Sequence, residues 1–91
     1  METKTRTFLT GTSESPETWI DARRQLEARG HEVVGLDAPR ESQHPVETRI
    51  EALFDAELVL TLDGWRDSSA AVIEVLTARS QGITVAPYRA A

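Results

Sequence analysis

Three carboxylates carry the clearest chemical potential in this chain: Asp63, Asp67 and Glu74. Asp63 and Asp67 bracket the segment DGWRDS, a loop pattern that follows an apolar run. Glu74 comes seven residues later and is the only charged residue between Asp67 and Arg79. Paired carboxyl groups can divide the work of a displacement, one as nucleophile and the other as proton donor. At helical spacing the neighbours of Glu74 are Ala70, Ala71, Thr77 and Ala78, all small. Such a face lets another body come close, either a ligand or a partner subunit. Trp65, in the same loop, is either a packing lid or a stacking surface for a planar ring. Gly11, directly after the first apolar segment, suits a close backbone approach by a ligand and equally a tight turn.

The plainer roles of these residues follow from local pattern. Asp67 and Ser68 are both suited to cap a helix. Asp63 before Gly64 is a common turn pair. On a helical wheel Val72 and Leu76 lie opposite Glu74, so periodicity alone turns Val72 and Leu76 to the sheet and Glu74 to solvent.

Alternating segments must position these groups. Thr5–Thr10 is β-branched and aromatic and reads as a strand. Ser15-Pro16-Glu17 opens a helix that runs to about Arg29, with Trp19, Ala22 and Leu26 on one face and Gly30 as its stop. His31–Leu36 is a second strand, and Asp37–Pro45 a loop. From Pro45 a helix carries Val46, Ile50, Leu53 and Phe54 as an apolar stripe. Leu58–Leu62 is nearly continuous in apolar residues, as a central strand covered on both faces should be. A third helix spans about Ser69–Ser80, and Ile83–Ala86 is a fourth strand stopped by Pro87.

Strands joined by single helices must be parallel. The expected fold is therefore α/β: a three-layer, Rossmann-like (flavodoxin-like) sandwich with a four-stranded parallel sheet in the order 2-1-3-4. One domain is expected over residues 1–91, since a chain of 91 residues and 10.1 kDa has room for no more. In such sheets ligands bind beyond the carboxyl ends of the strands, where the order reverses. That crevice falls between Gly11–Ser15 and Asp63–Ser68, flanked by Asp37–Pro45.

Composition narrows the partners. The net charge is −5 and the only lysine is Lys4, which disfavours a nucleic-acid polymer. No apolar run reaches the roughly 20 residues of a membrane helix. The first residues, METKTRT, lack the apolar core of a signal peptide, and the absence of cysteine fits a cytoplasmic protein. His31 and His44 sit at opposite ends of the second strand, so no shared metal is expected. Neither GxGxxG nor GxxxxGK[ST] occurs. Three acids against Arg66 make the crevice a poor home for a polyphosphate. A hydroxyl-rich, nucleoside-like molecule suits it better, because carboxylates accept hydrogen bonds from sugar hydroxyls.

The segments FLTG (Phe8–Gly11), GHEVVGLDAP (Gly30–Pro39) and LVLTLDGWRDSSAAVIEV (Leu58–Val75) together resemble the nucleoside 2-deoxyribosyltransferase superfamily. The likeness is greatest to its short phage and bacterial domain family of unknown function. It covers nearly the whole chain, and GW-x-x-S-x₅-E, from Gly64 to Glu74, is its most specific part.

The resemblance implies that Glu74 is a nucleophile attacking the sugar C1′, with Asp63 or Asp67 assisting departure of the base. Gly11, Thr12, Gly64, Trp65 and Ser68 would line the ligand site. No metal or organic cofactor is needed, and a homo-oligomer, a dimer, would complete the site. In the transferases Asp-x-Gly-x-x-x-Glu leads to the nucleophile; here Ser68 and Ala70 stand at the Asp and Gly positions. The alternatives are a non-catalytic binder of a nucleoside-like metabolite and a small interaction protein.

Overall fold

A computed structural model describes residues 4–11, 16–34 and 46–89; the side chains of Pro16 and of residues 46–48 fall outside that description. Strand β1 (Thr5–Thr10) leads to helix α1 (Pro16–Ala28) and strand β2 (His31–Val33). Helix α2 (Val46–Phe54), strand β3 (Leu58–Thr61), a 3₁₀ turn (Trp65–Asp67), helix α3 (Ser69–Ser80) and strand β4 (Thr84–Pro87) follow. The sheet has the order β2-β1-β3-β4 and every pairing is parallel. The expected α/β architecture and strand order are both present.

Strand alternation divides the core into two layers. Leu9, Leu60 and Leu62 pack with Trp19, Ala22 and Leu26 of α1 on one face. Phe8 and Val59 pack with Leu53 of α2 and Ala78 of α3 on the other. Helices on opposite faces are what crossovers of one hand require when strand order reverses after β2. Trp19 is a core residue, as expected, and its indole N–H donates to the Leu9 carbonyl at 3.2 Å.

Several element bounds differ from the sequence reading. Strand β2 ends at Val33 rather than Leu36, and Gly35 and Leu36 lie outside the described residues. Pro87 pairs with Thr61 inside β4 instead of stopping it. The segment expected as a plain loop contains the 3₁₀ turn, held by Asp67 N–H donating to the Gly64 carbonyl at 3.0 Å. Gly64 enters this turn with φ 81°, a left-handed conformation that favours glycine.

The facing of α3 is a larger correction. Ala71, Glu74, Val75 and Ala78 are buried, whereas Leu76 is 59% and Ile73 47% exposed; Val72 is half-buried. Leu76 thus faces solvent and Glu74 faces inward, the reverse of the periodicity argument. The helix is apolar on nearly every side, so hydrophobic spacing does not select its inner face. Of the small residues around Glu74, Ala71 and Ala78 are fully buried, and Ala78 packs with Phe8 and Val59 of the sheet. The α2 stripe is also corrected, since Leu53 is buried but Phe54 is 54% exposed.

Candidate functional site

Three elements bring polar side chains together beneath the carboxyl end of β1. Thr10 is the last residue of that strand and shares the face of Phe8, two residues earlier. That face lies under α2 and α3. Glu74 projects from the second turn of α3 and is 2% exposed. Arg49 projects from α2, one helical turn before the buried Leu53, and is itself buried.

The three residues are joined by short hydrogen bonds. Arg49 Nε donates to Glu74 Oε2 at 2.7 Å, and Arg49 Nη2 reaches Oε1 at 3.4 Å. The Thr10 hydroxyl donates to Glu74 Oε1 at 2.5 Å. The Arg49 guanidinium also lies 5.8 Å from the centre of the Phe8 ring. A buried carboxylate without a countercharge would be strongly unfavourable, and the arginine supplies that countercharge. Among the described residues, no buried side-chain polar atom lacks a hydrogen-bond partner.

The cluster sits at the point where strand order reverses. Thr10 is in register with Thr61, the last residue of β3. Gly11 follows at φ 135°, and a Cβ there would stand 2.9 Å from both the Cβ and the backbone N of Leu62. What approaches Gly11 is therefore the chain leaving β3. The two strand ends are tied together by Leu62 N–H donating to the Thr10 carbonyl at 2.8 Å.

The other expected site residues occupy different surroundings. Asp63 and Asp67 are exposed, and neither shares a hydrogen bond or ion pair with Glu74. Ser68 caps α3, its hydroxyl oxygen accepting from the Ala71 N–H at 3.2 Å. Trp65 is half-buried with the Arg66 guanidinium 4.9 Å from its ring centre. Gly64 is exposed at the start of the 3₁₀ turn. Thr12 and His44 lie outside the described residues. His31 is at the amino edge of the sheet, its Nδ1 2.7 Å from the Thr7 hydroxyl. Among the described residues no group of three His, Cys, Asp or Glu side chains could hold a metal ion. Among the described residues, no helix is long and apolar enough to cross a membrane.

Sequence reasoning missed Arg49 and Thr10. Setting three acids against Arg66 alone left out the cation that lies on Glu74. The available signal was positional: Arg49, Leu53 and Ala56 are spaced by four and three residues, the spacing of one helix face.

No curated protein and no solved structure matches the chain. A family model covers residues 7–87, which include all of α1, α2 and α3 together with Thr10, Arg49 and Glu74. The chain therefore belongs to the family described as a domain of unknown function (DUF4406).

Proposed function

We propose that this domain binds a nucleoside-type N-glycoside at the carboxyl edge of β1 and β3 and transfers its sugar through Glu74. The observation that carries the reading is the bond between Glu74 Oε1 and the Thr10 hydroxyl, at the strand reversal where such sheets receive ligands. It is supported by the resemblance of the chain to the deoxyribosyltransferase superfamily, in which a Glu at the position of Glu74 is the nucleophile, although Ser68 and Ala70 replace the Asp and Gly that precede it there.

In the first half-reaction a Glu74 oxygen forms a bond to the sugar C1′ while the C1′–N bond breaks. The electron pair of that bond leaves with the base, which takes a proton from a carboxylic acid, Asp63 or Asp67. In the second, an incoming base or water attacks C1′, the C1′–O bond breaks, and the Glu74 carboxylate is restored. The attacking group returns its proton to the waiting carboxylate. Retaining glycosidases follow the same logic with carboxyl groups about 5 Å apart. This route uses no metal or organic cofactor.

The test is incubation with deoxynucleosides and a second free base, followed by chromatography. Exchanged nucleoside is expected from the wild type and none from Glu74→Ala. Exchange that survives Glu74→Ala removes the nucleophile.

A second reading draws on the three hydrogen bonds that Glu74 already accepts. In it, Glu74 holds α2 to α3 and the crevice binds a nucleoside-like molecule without turnover. Ligand-dependent melting without exchange would favour this reading.

A further inference from the structure

We infer that Arg49 is the positioning residue for Glu74 and makes Oε1 the oxygen offered to the sugar, an inference that rests on the glycosyl-transfer reading. The two carboxylate oxygens are not equivalent. Oε2 receives the short Nε bond at 2.7 Å from α2. Oε1 receives the Thr10 hydroxyl and only the longer Nη2 contact at 3.4 Å. Thr10 ends β1, so Oε1 is the oxygen beside the strand tip. Arg49 is confined as well, being buried with its guanidinium near the Phe8 ring. The carboxylate plane is thereby held from two sides by groups on different elements.

This arrangement acts unequally on the two half-reactions. When Oε1 bonds to C1′, the carboxylate loses its charge and Oε2 becomes the ester carbonyl oxygen, still accepting from Nε. When the C1′–Oε1 bond breaks, its electron pair returns to the carboxylate beside the guanidinium. Arg49 therefore favours the second half, release of the sugar from Glu74, by stabilising the charge that forms. A purely structural tie between helices would have no such preference.

The decisive variant is Arg49→Lys, which keeps a charge but replaces the planar fork with a single point donor. With a deoxynucleoside and a free base as substrates, kcat should fall by about a hundredfold and the KM for the deoxynucleoside should fall with it, because the slowed step follows adduct formation. Intact-protein mass spectrometry at steady state should show more chain carrying a deoxyribosyl adduct than in the wild type. Should Arg49→Lys fail to melt cooperatively, Arg49→Gln takes its place with the same expectation. An active wild type whose variant keeps its kcat, or accumulates no extra adduct, overturns this inference alone. An inactive wild type overturns the transfer reading and this inference with it.

Discussion

Arg49 Nε and Glu74 Oε2 stand 2.7 Å apart, each on the buried side of its own helix. Neighbouring helices on one face of the sheet are thus joined by charge as well as by packing. Removing Arg49 leaves the Glu74 carboxylate buried without the guanidinium that balances its charge. Arg49→Met should cost about 3–5 kcal/mol in urea unfolding. The double replacement Arg49→Met with Glu74→Met should cost clearly less than the sum of the single changes, and additive costs would exclude coupling.

Thr10 joins the Glu74 cluster through its hydroxyl. Thr10→Val keeps the strand shape but removes a donor to a charged acceptor, and should cost about 1.5–3 kcal/mol. Thr10→Ser retains the hydroxyl and should recover most of that loss in the same unfolding measurement.

Gly11 is constrained twice, by its φ of 135° and by the chain leaving β3. Gly11→Ala should lower stability by more than about 2 kcal/mol, since a strained backbone and an overfilled contact act together. Gly30→Ala offers the comparison: its φ is also positive, but an added Cβ meets nothing within 4 Å. It should cost less in thermal unfolding.

The facing of α3 can be read from paired substitutions. Leu76→Gln and Ile73→Gln alter exposed positions and should change stability by no more than about 0.5 kcal/mol. Val75→Ala empties a fully buried position and should cost about 2 kcal/mol. A large loss from Leu76→Gln would place that side chain inward after all.

The parallel sheet and its order were legible because strand-like and helix-like segments alternate cleanly and each ends in Gly, Pro or a polar loop. Trp19, Ala22 and Leu26 were legible because α1 is apolar on one face only. The inner face of α3 was not, because Val72, Ile73, Val75 and Leu76 cover several sides of the helix. Leu76, expected against the sheet, and Ile73, at the side of the helix, are exposed, while Ala71 and Ala78 take the buried positions. Glu74 reaches the interior because Arg49 and Thr10 await it there, and both partners stand on other elements, out of view of the spacing within α3. The acid at position 74 was recognisable as a candidate; its surroundings required three dimensions.

The salt bridge between α2 and α3 also bears on how the chain assembles. A partly folded state with only one of these helices docked would strip water from one charge without the attraction of the opposite one. Such states lie high in free energy, so the layer containing both helices is expected to form and dissolve as one cooperative unit.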